Sequence, residues 1–76
     1  MKELVDFVAK SLVDNQDAVS VVEHKDRGTT ILELHVSPEE IGRVIGREGK
    51  VANALRTLLR VAAQKQRKRV VLEISG

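Results

Sequence analysis

Two glycines interrupt a helical pattern in the stretch VIGREGKVANAL, residues 44–55. A glycine inside a helix costs about 1 kcal/mol relative to alanine, so one continuous helix through Gly46 and Gly49 is disfavoured. The residues on both sides nevertheless keep helical spacing. The sequence therefore predicts two helices joined by a short loop that contains both glycines.

The first half of the chain predicts one helix and a β-hairpin. Residues 3–14 repeat apolar side chains at helical spacing, and this stripe includes Phe7, which we expect in the core. Residues 18–25 and 29–36 alternate and are rich in β-branched residues, with Asp, Arg and Gly between them to form a turn. These features are typical of two antiparallel strands.

The hairpin register determines which strand residues are buried. Pairing Lys25 with Thr30 places the apolar residues of both strands on one face. In this register His24 and His35 lie on the solvent face, about four residues or roughly 13 Å apart along the sheet. That separation is too large for the two imidazoles to share a metal ion. The residues expected on the buried face are Val19, Val21, Leu32, Leu34 and Val36.

The sequence SPEE predicts the start of the helix that precedes the glycines. Ser37 is a favourable N-cap, Pro38 suits the first helical position, and Glu40 completes a capping box. We expect this helix to end at Gly46. Within it, Ile45 is expected to be a core residue.

A longer helix should begin near Lys50 and continue to about Gln66. Its polar stripe carries Asn53, Arg56 and Arg60. The expected buried stripe is Val51, Leu55, Leu58, Leu59 and Ala62.

A third strand is predicted at residues 69–74, which alternate again. The element order is then α-β-β-α-α-β. The helix pair is long enough to cross over and lay the last strand parallel to the second. The predicted fold class is α+β, with three helices packed on one face of a three-stranded mixed sheet in two layers.

Charge is distributed unevenly along the chain. Residues 1–36 contain four Lys/Arg and seven Asp/Glu, a net charge of −3, whereas residues 37–76 contain nine and four, a net charge of +5. A basic second half favours a polyanion as partner. With one Phe and neither Tyr nor Trp, the chain lacks the aromatic side chains on which RRM and OB modules stack bases. Any nucleic acid must be held by another chemistry.

The residues give little support for an enzyme. No serine has a nearby base, and the carboxylates lie on separate elements. The string GREGK is not a P-loop, because Val44 and Val51 stand where that motif requires glycine and Ser/Thr. We expect no catalytic residue, no cofactor and no metal site. Because the chain has no cysteine, no signal-peptide pattern and no membrane-spanning apolar run, we expect a cytoplasmic protein.

A phosphate-binding loop accounts best for the two glycines. Gly46 and Gly49 would let a ligand backbone approach closely, and the loop opens a helix whose free N–H groups favour an anion. Arg47 and Lys50 add positive charge. A plain helix-helix turn explains one glycine but not both. A helix-turn-helix DNA-binding module is a further alternative, although three strands exceed what that motif needs.

The run IGRVIGREGKVANAL, residues 41–55, closely resembles the core of a KH domain, in which a GxxG loop joins two helices and clamps about four nucleotides of a single strand. The resemblance covers the whole chain, because α-β-β-α-α-β is the order of the type II KH fold. The chain is identified as a member of the small bacterial KhpA family, with residues 1–76 forming a single KH domain. This resemblance implies a protein that binds single-stranded RNA without catalysis.

The resemblance also implies which residues contact RNA. In the family an aliphatic groove holds the bases, and Val44 and parts of the second helix would line it. Two features depart from the family pattern: Glu48 is acidic, and Ala52 replaces a larger aliphatic residue; both imply modest affinity and little sequence preference. The implied RNA-binding residues are Arg43, Val44, Gly46, Arg47, Glu48, Gly49, Lys50, Asn53 and Arg56.

Family members are implied to form homodimers or to pair with a KhpB-like KH protein. They are further implied to act as RNA chaperones or post-transcriptional regulators, in some bacteria linked to cell-wall synthesis and cell length. A different hypothesis is a dimerisation module with weak or incidental RNA binding, since a 76-residue domain has reason to self-associate. On the back of the sheet, Val22, Ile31 and Val71 form a possible apolar contact surface or scattered apolar residues.

Overall fold

The computed structural model describes residues 1–76 and confirms the predicted element order. Short 3₁₀ turns at Gln16–Ala18, Pro38–Glu40 and Arg47–Gly49 lie between the longer elements. No helix is long and apolar enough to cross a membrane. The helices and strands are α1 (Lys2–Leu12), β1 (Ser20–Asp26), β2 (Thr29–His35), α2 (Ile41–Ile45), α3 (Lys50–Lys65) and β3 (Arg69–Ser75).

The sheet is mixed and has the order β1-β2-β3. β1 pairs antiparallel with β2 in the predicted register, with Lys25 opposite Thr30. β3 lies parallel to β2, with Thr29 opposite Arg69 and Leu32 opposite Leu72. The fold class predicted from the sequence, α+β with three helices and a three-stranded mixed sheet, is confirmed.

The core lies between the sheet and the helices. The largest side chains with almost no exposure are Leu32 and Leu34 from β2, Leu59 from α3 and Val5 from α1. The central strand therefore contributes most to the core, because its alternate residues face the helices while strands flank it on both sides.

The helices pack on the sheet with a different rotation from the predicted one. Phe7 is 70% exposed and Leu58 is 55% exposed, so neither belongs to the core. The buried positions are instead centred on small and medium side chains, which allow the helix backbones to approach the sheet closely. These buried positions are Val5 and Ala9 in α1, and Ala52, Leu55, Leu59 and Ala63 in α3.

The predicted capping box at the start of α2 is wrong. Ser37 makes no side-chain cap, and its hydroxyl instead donates to the Glu39 carboxylate, which lowers the pKa of Glu39 below its usual value. The carboxylate of Glu40 is buried and accepts hydrogen bonds from the backbone N–H groups of Asp14 at 2.6 Å and Asn15 at 3.0 Å. Glu40 therefore fastens the segment after α1 to the start of α2. Nothing in the local pattern indicates a contact between residues 25 positions apart.

The outer face of the sheet carries a polar cluster around Glu33. One carboxylate oxygen of Glu33 lies 2.6 Å from His24 Nε2, and the other lies 3.7 Å from His35 Nε2. His35 Nδ1 lies 2.8 Å from the Ser75 hydroxyl. Both histidines are on the solvent side, as the register predicted. No group of three or more His, Cys, Asp or Glu side chains is arranged to hold a metal ion.

Removing the Glu40 carboxylate should destabilise the fold. In Glu40→Ala, two backbone N–H groups lose their acceptor, and we expect the free energy of unfolding to fall by about 2 kcal/mol, within the range measured for unpaired polar groups. Urea denaturation followed by circular dichroism measures this change. The matched control is Glu39→Ala, one residue earlier and fully exposed, which should leave the denaturation midpoint close to that of the unmodified chain. Equal midpoints for the two variants would contradict the role given to Glu40.

Candidate nucleic-acid interface

The loop between α2 and α3 has an unusual backbone. Gly46 has φ 78° and ψ 172°, Glu48 has φ 58° and ψ 24°, and Gly49 has φ 76° and ψ 12°. Three of the four loop residues thus have positive φ, a conformation that costs roughly 1–2 kcal/mol for a residue with a Cβ atom. Glycine removes this cost at two of the positions, whereas Glu48 bears it.

The two glycines are required for different reasons. A Cβ atom added to Gly46 would lie 2.5 Å from Val51 Cγ2 and 2.9 Å from the Val51 backbone nitrogen, so the first turn of α3 leaves no space for a side chain. At Gly49 the nearest atom to such a Cβ is the Asn53 side-chain nitrogen at 3.6 Å, so only the positive φ favours glycine. The fold itself therefore accounts for Gly46. The open space at Gly49 leaves room for an incoming backbone.

The loop leads directly into the N-terminus of α3, a helix of 16 residues. Gly49 is the N-cap of α3 and no side chain caps the first turn. The N–H groups of Gly49 and Lys50 already donate to the carbonyl oxygens of Gly46 and Arg47, so an anion would meet the N–H groups that follow in the first turn. Arg47 and Lys50 are exposed, and neither forms an ion pair. Glu48 is also exposed and pairs with neither of them. The loop therefore offers two free cations and a helix N-terminus, opposed by one carboxylate.

A groove runs between α3 and β3 and begins at Arg56, about 9 Å along the helix from Lys50. Arg56 crosses it, with Nη2 3.4 Å from the Leu72 carbonyl oxygen. The floor includes Val70, which is half-buried and faces the helices, whereas the Val71 side chain points to the outer face of the sheet. Valine and leucine side chains at the base and arginines at the rim suit a ligand with apolar faces and a charged backbone. The groove encloses about 230 Å³ and is lined by Arg56, Leu59, Arg60, Val70, Val71 and Leu72.

The two flanks of α3 differ in character. The flank that faces β3 carries Arg56 and Arg60. The opposite flank is apolar and faces Val8 of α1, where Val51, Ala54, Leu55 and Leu58 form a shallow concave surface of about 280 Å³ with the Lys50 side chain at its edge. One helix thus separates a basic groove from an apolar surface.

Two of the residues implied by resemblance have other positions in the structure. Val44 is only 2% exposed and packs in the core, so it cannot line a groove, and Ile45, expected in the core, is 36% exposed. Because successive helix positions differ by about 100° in direction, burying Val44 turns Ile45 outward. The Arg43 guanidinium lies 3.1 Å from the Asp14 carboxylate and 3.4 Å from the Glu40 carboxylate, so its charge is already compensated.

The resemblance missed part of the groove. Arg60, Val70 and Val71 line it but were not among the implied RNA-binding residues. Arg60 was visible in the polar stripe of α3 at helical spacing from Arg56, and that spacing was the signal that could have identified it. The strand residues carried no such signal, because the sequence alone does not show how far a helix lies from a strand edge.

The family model described as KhpA/KhpB, KH domain matches residues 2–74. The chain belongs to this KH-domain family. Its match spans all six elements and includes the Gly46–Gly49 loop, so the resemblance seen in the sequence is confirmed. No solved structure matches the chain significantly.

Curated relatives in the KhpA/KhpB family are named RNA-binding protein KhpA. The protein from Caldanaerobacter subterraneus subsp. tengcongensis is 53% identical over 74 residues, covering 97% of this chain and 99% of the relative. The protein from Clostridium perfringens is also 53% identical with the same coverage. The protein from Aquifex aeolicus is 50% identical, covering 97% of this chain and 94% of the relative. Membership of this RNA-binding family supports an RNA-binding role for the chain.

Substituting each glycine of this region by alanine should give three distinct results. Gly46→Ala combines a forbidden backbone conformation with overlap against Val51 and should lower the free energy of unfolding by about 3 kcal/mol. Gly49→Ala carries only the positive φ and should lower it by about 1 kcal/mol. Gly42→Ala, on an exposed helical position with no atom within 4 Å of the new Cβ, should stabilise the protein by about 0.5 kcal/mol or more.

Chemical denaturation of the three variants measures this order. If Gly46→Ala and Gly49→Ala lowered the free energy of unfolding equally, overlap with Val51 would not be the reason why residue 46 must be glycine.

Proposed function

We propose that residues 1–76 act as a single KH domain that binds single-stranded RNA without catalysis. The RNA backbone lies at the Gly46–Gly49 loop and the bases lie in the groove between α3 and β3. The observation that carries the proposal is the uncompensated charge of Arg47 and Lys50 at the N-terminus of α3, which no side chain caps, on the same helix as the arginines of that groove. Named RNA-binding relatives at about 50% identity support the same role.

The loop supplies the backbone contacts in this proposal. Gly49 leaves open space through which a sugar-phosphate backbone reaches the N–H groups that begin α3. Arg47 and Lys50 attract the phosphates, and Glu48 lowers the local positive potential. The acidic residue thereby limits affinity and makes the remaining cations essential for binding.

The groove supplies the base contacts. Its floor is aliphatic, so bases are held by apolar contact with half-buried Val70 and not by aromatic stacking. Arg56 and Asn53, on the exposed side of α3, add hydrogen-bond donors to base edges or sugar hydroxyls. A mainly apolar floor distinguishes bases weakly, so the proposed binding has little sequence preference.

Arg43 and Val44 position this site without contacting RNA. Val44 packs α2 into the core, and Arg43 joins the Asp14 and Glu40 carboxylates that tie the chain after α1 to α2. Both residues therefore help to fix the position of α2 and, with it, the position of the Gly46–Gly49 loop.

The apolar flank of α3 supports a proposed protein-protein contact, as a homodimer or with a KhpB-like KH protein. Leu58 and Val61 are largely exposed there, and Phe7 of α1 is exposed as well. Large apolar side chains of this kind on a monomer surface are typical of a contact region. The same surface keeps open the second candidate function, a dimerisation module with incidental RNA binding.

In cells, we propose that the protein acts as an RNA chaperone or post-transcriptional regulator in the cytoplasm. A link to cell-wall synthesis and cell length is part of this proposal and derives from the family resemblance alone. Weak sequence preference suits a chaperone, which must act on many RNA strands and release them.

Replacing Arg47 and Glu48 with two aspartates should remove RNA binding and leave the fold intact. Both side chains are exposed, and the change replaces an attractive cation with a repulsive anion. We expect the affinity for a five-uridine oligoribonucleotide (U5) to fall at least about tenfold, equivalent to about 1.4 kcal/mol. Fluorescence anisotropy measures binding, and circular dichroism checks the fold.

The matched control is Lys2→Asp, which changes the net charge equally at an exposed position in α1. It should bind U5 nearly as well as the unmodified chain. A folded loop variant that binds as tightly as the control would contradict the loop assignment.

Salt dependence provides a separate test of the backbone contacts. With three or four phosphate contacts, the logarithm of the U5 association constant should fall against the logarithm of salt concentration with a slope of about −2 to −3. A salt-independent affinity would contradict a backbone clamp. Sedimentation velocity with and without U5 tests the second candidate function, because a stable dimer that ignores RNA would favour it.

A further inference from the structure

The end of α3 carries a second concentration of positive charge that the GxxG loop does not explain. Arg60, Lys65, Arg67, Lys68 and Arg69 lie within ten residues and none forms an ion pair. All side-chain ion pairs of the protein involve instead Lys10, His24, His35 or Arg43. Lys65, Arg67, Lys68 and Arg69 are separated from the loop by the full length of α3, about 24 Å, so these four cannot contact the same phosphates as Arg47.

Three of these cations, Arg60, Lys68 and Arg69, line a cleft that continues the base-binding groove. The cleft encloses about 530 Å³ and shares Arg60, Val70 and Val71 with the groove beside Arg56. α3 runs antiparallel to β3, since Arg56 contacts Leu72 whereas Gln64 lines the cleft with Arg69. The groove and the cleft therefore form one channel along the β3-facing side of α3, from Arg56 to Lys68 and Arg69.

The backbone holds Arg67, the residue before Lys68 of this cleft, in a conformation with an energetic cost. α3 ends in a Schellman motif, in which Lys68 N–H donates to the Ala63 carbonyl at 2.8 Å and Arg67 N–H donates to the Gln64 carbonyl at 3.0 Å. Arg67 occupies the left-handed position of this motif, with φ 56°, where glycine is usual. Strained residues of this kind are a reason to look for function.

A further cation, Arg27, lies at the same end of the sheet. The hairpin turn contains Arg27, with φ 52°, next to Gly28. Because Thr29 is paired with Arg69, this turn lies beside the start of β3. Two separate turns thus place arginine, in a conformation that favours glycine, at one end of the protein.

We propose that the cleft at the end of α3 binds the phosphates of the same RNA strand beyond the nucleotides held at the GxxG loop. This inference rests on the proposed RNA-binding function and extends the binding site along the whole of α3. Charge complementarity identifies the occupant as a polyanion, and the continuity of the channel with the base-binding groove favours the same strand. Half-buried Val70 lines both the groove and the cleft and provides an apolar contact for a base between the two phosphate sites.

The test compares U5 with a twelve-uridine oligoribonucleotide (U12) by fluorescence anisotropy at several salt concentrations. We compare salt slopes and not affinities, because a longer strand can bind in more positions and gains affinity without any new contact. If the cleft adds two or more phosphate contacts, the log–log salt slope for U12 should be steeper than that for U5 by about 1.4 or more. In the double variant Lys68→Gln/Arg69→Gln, the U12 slope should become shallower by about 1.4, while U5 binding stays unchanged.

A charge-matched control removes two lysines from α1, Lys2→Gln/Lys10→Gln, and should leave the U12 slope unchanged. Equal slopes for U5 and U12 on the unmodified chain would overturn the proposed extension, and so would a cleft variant that behaves like the control. Failure to bind either oligonucleotide would contradict the RNA-binding function itself, so the two failures are distinguishable.

Arg67→Gly separates a binding role from a structural one. Glycine at the left-handed position should raise the Tm by about 4 °C or more, because it removes the cost of a positive φ. The same variant should weaken U12 binding several-fold and leave U5 binding unchanged. A raised Tm with unchanged U12 affinity would remove Arg67 from the proposed site.

Discussion

The packing of α3 on the sheet determines where every candidate functional residue lies. Ala52 and Ala63 bring the helix backbone close to the strands, and Leu55 and Leu59 fill the space between them. This choice of buried positions fixes the rotation of the helix. One flank then turns Arg56 and Arg60 towards β3, while the other turns Val51 and Leu58 towards α1. A basic groove and an apolar surface follow from a single packing arrangement.

The same packing explains the glycine loop. Val51 begins α3 directly behind Gly46, and its side chain occupies the space that a Cβ atom would need. The first glycine is therefore a consequence of how closely the loop returns to the helix, and the second leaves an open approach. A functional explanation of the motif needs only Gly49, the free N–H groups of α3 and the unpaired cations. Glu48 remains the residue that opposes anion binding, and it does so without neutralising Arg47 through a direct ion pair.

Local patterns in the sequence predicted most of the fold, because they reflect interactions between residues that are close together in the chain. The alternation of the strand residues predicted the hairpin register without a shift of even one residue, and the glycines marked the break between α2 and α3. Helix rotation was wrong for Phe7 and Leu58, since bulky apolar residues dominate a periodicity count whereas small alanines decide how closely two elements pack. Glu40 and Arg43 were misassigned because their partners Asp14 and Asn15 lie 25 to 29 positions away in the chain. The groove lining at Val70 and Val71 depends on a helix-strand distance that no local pattern encodes.

The proposed binding mode places RNA on the β3-facing flank of α3 and not on the α1-facing flank. A ¹⁵N–¹H correlation spectrum recorded during titration with U5 tests it most directly. We expect backbone amide signals to shift for residues 46–60 and 70–72, while those of Val8 and the other residues of α1 stay in place. Shifts concentrated in α1 with none at Arg47, Gly49 or Lys50 would contradict it.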